Sequence, residues 1–385
     1  MTTVFLCGPL CHRPLLDVVL GAGVALSPAV VAGREGRAMA APGHFALVRR
    51  QGGQVEGAVP EGLTPQAAAR LAFYARAIGL AARQVRVTWA SGTAQGLAYA
   101  LTAGPAELVP WDGALWLADH AALAVETAVE VMAQFGQTPP ARLRARLGPI
   151  RVRAASRVRA QAEPAPQVLR SAPGEIALQA KRQPYARFFA VEEYDLSFRR
   201  FDGTTSPPIN RAVFVSGDAV TVLPYDPQRD RVLLVEQLRA GPLARGDRNP
   251  WQLEAIAGRI DPGETPLEAA RREAVEEAGL TLGPLLPVAA YYPSPGAKTE
   301  FLYSYVALTP LPDGAAGVFG VEEEAEDIRG HLIAFDQAMA LVASGEVQNA
   351  PLLLTLLWLQ RERGRLRASS RIAGGLPGGP PARVV

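Results

Sequence analysis

Short apolar runs alternate with helical periodicities through the first third of the chain. The run TVFLCGPL within residues 2–10 predicts a strand that breaks at Gly8-Pro9, and HRPLLDVVLG predicts a helix closed by Gly21. Strand-like pieces follow at HFALVRR and QVEGAVP, and Thr64-Pro65 opens a helix running to about Ala77. QVRVTW alternates as a half-buried strand does, GLAYALT follows it, and WLADHAALAVETAVEVMAQFG has the period of one long amphipathic helix. These elements make residues 1–137 a mixed α/β or α+β unit.

The pattern changes after that. From TPPARLRARL to AQAEPAPQ the chain is rich in Arg, Ala and Pro, which predicts a basic connecting helix and a linker over 138–174. A second domain is expected over 175–364, closing with a helix around APLLLTLLWLQRERGRL. The Gly/Pro-rich tail, 365–385, offers little apolar surface to order it and is expected to be disordered.

Length and composition agree with two domains that each bury a core: 385 residues, 49% hydrophobic and 20% charged. A net charge of +2 gives no case for a nucleic-acid partner, although residues 141–160 carry seven arginines and no acid, and 322–327 reads EEEAED. The two cysteines, Cys7 and Cys11, form no disulfide-rich or metal-binding pattern and suit a reducing compartment. The opening residues lack a signal peptide's charged start and long apolar core, and no run is long enough to span a membrane. A cytoplasmic protein is expected.

The segment richest in chemistry is GRIDPGETPLEAARREAVEEAGL, Gly258 to Leu280. Thr265 can cap a helix, Pro266 suits its first turn, Glu268 completes a capping box and Gly279 supplies a left-handed C-terminal cap. Glu273, Glu276 and Glu277 then project along one side, with Leu267, Ala270, Ala274 and Ala278 forming the adjoining face. Small residues there let the helix lie close to a sheet. Like charges at these spacings repel, and a hard divalent cation would remove the penalty while sharing oxygen ligands with phosphates.

This pattern resembles the Nudix box: Gly258, Glu264, Arg272, Glu273, Ala274, Glu276, Glu277, Gly279 and Leu280 fall at its spacing, with Ala274 in place of a bulkier aliphatic. The resemblance implies an α/β/α sandwich with a mixed sheet, and a metal-dependent hydrolase of nucleotide diphosphate bonds. It implies Mg²⁺, or Mn²⁺, held by Glu273, Glu276 and Glu277, with Arg272 orienting the carboxylates, and Gly258, Glu264 and Gly279 shaping the box.

The flanks resemble the ADP-ribose pyrophosphatase branch over about residues 185–362. VLLVEQLRAG and WQLEAIAG imply Arg239 and Glu254 at the substrate and the Ala257 carbonyl at a metal. YYPSPGAKTEFLYSYVA implies Ser294 and the branch's proline, Pro295, with Arg211 a further candidate for substrate contact. The acidic loop implies Glu324 as catalytic base and Glu326 as a further metal ligand. The expected reaction converts ADP-ribose to AMP and ribose 5-phosphate. Another nucleoside diphosphate sugar, a dinucleotide, or a non-catalytic nucleotide sensor remain alternatives. The branch also implies a homodimer exchanging strands from residues 183–225.

FLCGPLCHRPLLDVVLG and QVEGAVPEGLTPQAAARLAFYARAIG resemble γ-glutamylcyclotransferase-like domains, which implies a small mixed barrel. Cys7 and Pro9 replace that family's tyrosine and threonine, and Ala75 falls where its acid/base glutamate belongs, so the fold is expected without the chemistry. The two-domain combination resembles proteins associated with tellurite resistance.

Overall fold

A computed structural model describes residues 3–39, 44–101, 108–164, 166–170, 174–321 and 326–374. The chain divides into two compact units, residues 1–176 with 185–190 and 198–204, and residues 177–184 and 191–197 with 205–385.

The first unit runs β1 (Thr3–Phe5), α1 (Arg13–Leu20), β2 (Leu26–Met39), β3 (Phe45–Pro60), α2 (Pro65–Ala77), β4 (Ala81–Trp89), β5 (Gly92–Ala100) and β6 (Leu108–Pro110). Helices α3 (Gly113–Asp119), α4 (Ala121–Ala133), α5 (Pro140–Arg144) and α6 (Leu147–Ala162) complete it. Its sheet has the order β1-β5-β4-β2-β3, with β6 on β2. Two isolated bridges, Leu6–Ala58 and Ala46–Leu101, link β3 back towards β1 and β5, and among the described residues no continuous ladder closes the expected barrel.

Three sequence expectations change here. HFALVRR and QVEGAVP are one strand, β3, paired along its length with β2. LSPAVVAGREGRAM is a strand that its sequence does not predict, because its small and charged residues mask any alternation. Three neighbours, β3, β4 and β6, supply the pairing that its propensity does not, and Gly33 (φ 72°) absorbs a register shift. The long helix over 116–136 is two, broken at His120.

The arginine-rich segment is not a connector. Arg153 and Glu130 are both buried and ion-paired, which fixes α6 against α4, and Arg157 bridges Glu126 and Glu130. A core of Leu15, Leu16, Leu71, Tyr74, Val131 and Ile150 lies among these helices.

The chain continues with β7 (Ile176–Ala186), β8 (Ala190–Phe198) and β9 (Ile209–Val215), which form a three-stranded sheet in that order. Next come β10 (Ala219–Asp226), β11 (Arg231–Leu238), α7 (Ala240–Arg245), β12 (Trp251–Glu254), β13 (Ile256–Arg259) and α8 (Pro266–Ala278). The last elements are β14 (Leu285–Tyr291), β15 (Leu302–Leu308), β16 (Val318–Phe319), β17 (Ile328–Ala334), α9 (Phe335–Ser344) and α10 (Ala350–Gly374). The large sheet is mixed, ordered β14-β15-β10-β11-β17-β16, with β12 on β11 and β13 on β10; the β10–β15 pair is parallel.

Alternation along β11 assigns the two faces. Leu233 and Val235 enter the core that receives α8, while Val232 and Leu234 enter the core shared with α9 and α10. Helices therefore cover both faces. The final helix continues to Gly374, past the expected start of a disordered tail, and its Arg363 and Arg367 clamp Asp230. Residues 375–385 lie outside the described residues. Among the described residues no helix is long and apolar enough to cross a membrane.

Candidate active site

The site is built on α8. Thr265 Oγ1 accepts from the Glu268 N–H at 3.2 Å while the Glu268 carboxylate accepts from the Thr265 N–H at 2.8 Å, the reciprocal capping box read from the sequence. Gly279 ends the helix at φ 61°. Ala269, Ala270, Ala274 and Ala278 are buried on the sheet. Leu267, expected on that face, is instead exposed, because Ala269 takes the inward position one turn into the helix.

Small packed residues bring the carboxylates close to the backbone of β13. Glu277, 2% exposed, accepts the Ala257 N–H at 3.0 Å and faces Gln237 Nε2 at 3.4 Å. Glu273 lies against Gly258, filling the space a side chain there would take. Burial pushes the Glu273 carboxyl up to about 7, against the lowering influence of Arg272. It pushes Glu277 up to about 8, against the Ala257 N–H, with Glu273 and Glu326 adding to the rise.

Arg272 ties the box together. It donates to Glu264 at 2.8 and 3.0 Å, to Glu273 and Glu276 at 2.8 Å each, and to the Arg259 carbonyl at 2.9 Å. Its pKa is raised, chiefly by Glu264. Glu276, which the sequence placed on one side with the others, turns to this guanidinium. Among the described residues no three acidic, His or Cys side chains are drawn into a finished metal cage. The donor set nonetheless fits a hard cation: a buried and a largely buried carboxylate held up in pKa by desolvation, beside a glycine that leaves room for them.

Glu326 is within charge range of both Glu273 and Glu277, and its carboxylate accepts the Val321 N–H at 3.1 Å. Glu324 lies outside the described residues. Arg239 pairs with the buried Glu254 at 2.6 Å and bears electrostatically on Glu277; Glu254 also accepts from Asn349 at 2.6 Å. Among the described residues no hydrogen bond brings Arg211, Ser294 or Pro295 to these groups. Arg211 donates to the Asn210 carbonyl, and the Ser294 carbonyl accepts the N–H groups of Ala297 and Lys298.

Sequence reading missed Gln237 and Asn349, which touch the cluster only through pairing of distant elements. It also missed a polar cleft of about 570 Å³ lined by Glu236, His331, Arg245, Arg248 and Trp251. Alternation offers the one signal: Glu236 must point away from Gln237, and it meets His331 at 2.8 Å.

The site is thus a set of carboxylates from one helix held against the backbone of β13, on a mixed sheet that helices cover on both faces. The NUDIX domain description matches residues 215–356. The ADP-ribose pyrophosphatase of Escherichia coli K12 is 36% identical over 193 residues, 50% of this chain and 91% of that protein. The Haemophilus influenzae ADP-ribose pyrophosphatase is 32% identical over 51% of this chain and 90% of its own. The GDP-mannose pyrophosphatase of Enterobacter sp. is 32% identical over 39% and 77%. The chain belongs to the Nudix family, and its C-terminal half is a Nudix hydrolase.

Proposed function

We propose that this protein hydrolyses the diphosphate bond of ADP-ribose, giving AMP and ribose 5-phosphate. The convergence of Glu273 and the buried Glu277 on the Ala257–Gly258 backbone carries the chemistry. The similarity to two ADP-ribose pyrophosphatases supports the substrate.

Mg²⁺, or Mn²⁺, held by Glu273, Glu276, Glu277, Glu326 and the Ala257 carbonyl, would neutralise the diphosphate and polarise its P–O bonds. Arg239 leaves Glu254 for a phosphate oxygen and fixes the substrate's position. Arg272 keeps Glu273 and Glu276 apart and oriented. An acidic-loop carboxylate, Glu324 in this reading, takes a proton from the attacking water. The water oxygen joins one phosphorus as the bridging P–O bond breaks, and the second phosphate leaves on its ribose. Ser294, Pro295 and Arg211 are assigned to the substrate's outer parts.

The GDP-mannose pyrophosphatase similarity favours a second reading, another nucleoside diphosphate sugar. Exposed Tyr185, Phe188, Phe198 and Phe201 on and beside β7 and β8 support a homodimer built through this region. The free cysteines support a cytoplasmic setting. The first unit is proposed to have the γ-glutamylcyclotransferase-like fold without its chemistry, a reading supported by fully buried Ala75, and the tellurite association extends that resemblance.

Steady-state hydrolysis of ADP-ribose and GDP-mannose with Mg²⁺, with and without EDTA, tests the reading. Preference for ADP-ribose that Glu277→Gln and EDTA both abolish supports it. Preference for GDP-mannose transfers it to the second substrate, and turnover unchanged in Glu277→Gln overturns the site.

A further inference from the structure

Glu254 ends β12, opposite Val235 of β11, and is only 6% exposed. Different partners hold its two oxygens. Oε2 accepts Arg239 Nε at 2.7 Å and Nη2 at 2.6 Å, while Oε1 accepts Asn349 Nδ2 at 2.6 Å. Asn349 stands immediately before α10 and caps it. Its Oδ1 accepts the Leu352 N–H at 3.0 Å, and its main-chain carbonyl accepts the Leu353 N–H at 3.0 Å. The cap fixes the amide. With Oδ1 committed to an N–H, the donor end faces the carboxylate, whereas the flipped amide would set oxygen against oxygen and N–H against N–H.

Arg239 spends one whole edge of its guanidinium, Nε and Nη2, on Glu254. A phosphate gripped through two parallel N–H bonds needs such an edge, so the arginine cannot hold both anions in this way. When it turns to substrate, the carboxylate it leaves is still buried. A buried anion stripped of every partner is costly, and that cost would count against substrate binding. Asn349 is the partner that stays, and the positive end of the α10 dipole begins one residue further on.

We propose that Asn349 is a positioning residue for phosphate binding: by keeping Glu254 hydrogen-bonded, it lets Arg239 exchange that carboxylate for a phosphate oxygen. The inference rests on the hydrolase reading above. Asn349 acts on substrate only through Arg239, so its effect belongs to affinity and not to the bond-breaking step.

A double-mutant cycle on the full-length protein tests this, with ADP-ribose and Mg²⁺. Asn349→Ser keeps a side-chain oxygen for the cap and loses the reach to Glu254. It should raise KM at least about fivefold with kcat within about twofold of the parent. Arg239→Met should raise KM at least about tenfold, and adding Asn349→Ser to it should change KM by less than about twofold. Thermal melts check folding. If Asn349→Ser does not fold, Asn349→Asp decides, since it keeps the cap and the shape but turns the donor facing Glu254 into an acceptor; it should raise KM at least as much. Calorimetry in the Glu277→Gln background, where turnover is lost, reads the same cycle as the Kd of ADP-ribose. Coupled Kd values in a protein whose parent does not hydrolyse ADP-ribose would sink the hydrolase reading and leave the role of Asn349 standing. In an active parent, the proposal is overturned by an unchanged KM in both Asn349 variants, by a loss confined to kcat, or by Asn349→Ser exerting its full effect on top of Arg239→Met.

Discussion

Glu273 occupies the space that a side chain at position 258 would need: a Cβ on Gly258 would lie 1.8 Å from Glu273 Oε1 and 2.0 Å from its carboxyl carbon. The glycine is required by a close approach and not by a left-handed backbone, since Gly258 is absent from the positive-φ residues.

Gly258→Ala should therefore fold and fail. The clash is with the end of a flexible side chain, so Glu273 can swing away at small cost to stability. A displaced carboxylate, however, costs on the order of 100-fold in turnover. Steady-state rates on ADP-ribose beside a thermal melt check this. Parent-like turnover would show that Glu273 need not sit where it does.

Arg272 holds four oxygen-bearing groups with one guanidinium, a task the compact lysine ammonium cannot repeat. Arg272→Lys should lose about 1–3 kcal/mol in urea unfolding without metal, the lower end applying because the side chain is 29% exposed. It should also lose at least about tenfold in turnover. With Glu273 and Glu276 no longer separated by a fork, Mg²⁺ should raise its melting temperature more than the parent's. An equal rise in both would show that the arginine does not relieve that repulsion.

The buried pair in the first unit gives an asymmetric prediction. Arg153→Met leaves Glu130 with Arg157 as partner at 3.1 Å, whereas Glu130→Leu leaves the buried Arg153 charge with the Arg187 and Phe188 carbonyls but no acid, and deprives Arg157 of one of two acids. Breaking a buried pair costs about 3–5 kcal/mol. Glu130→Leu should reach that range, and Arg153→Met should fall below it. Chemical denaturation of both variants orders them, and the reverse order would deny Arg157 its compensating role.

What was legible in the sequence was local. The box helix carries its start, stop and small face within its own 13 residues and their two caps, so Thr265, Glu268 and Gly279 could be placed without knowing the fold. Boundaries in the first unit were less legible because they depend on distant partners. β2 becomes a strand through three neighbours, and the arginines of α6 become core residues only because Glu130 and Glu126 meet them. Likewise Gln237 and Asn349 reach the carboxylates through a sheet register and a helix start far away in sequence. That the buried hydroxyl of Thr127 has no hydrogen-bond partner is likewise invisible in the helical pattern that places it.

His44 makes the stability of the first unit depend on acidity. Its folded pKa is about 4 against an ordinary 6.5, lowered first by burial and then by Arg151 and His120. Between those values the unfolded chain binds a proton that the folded chain refuses, so stability rises with pH across the window and falls as pH drops from 6.5 towards 4. The shift corresponds to at most about 3 kcal/mol. Urea unfolding at pH 7, 5.5 and 4.5 measures the slope, and because carboxylates titrate nearby in pH, His44→Gln supplies the baseline. The parent should lose more stability than the variant over this range, and Arg151→Met, which removes one of the charges repelling the proton, should fall between them. Parallel slopes for parent and His44→Gln would mean that the histidine is solvated or paired in the folded protein and contributes nothing to the acid sensitivity.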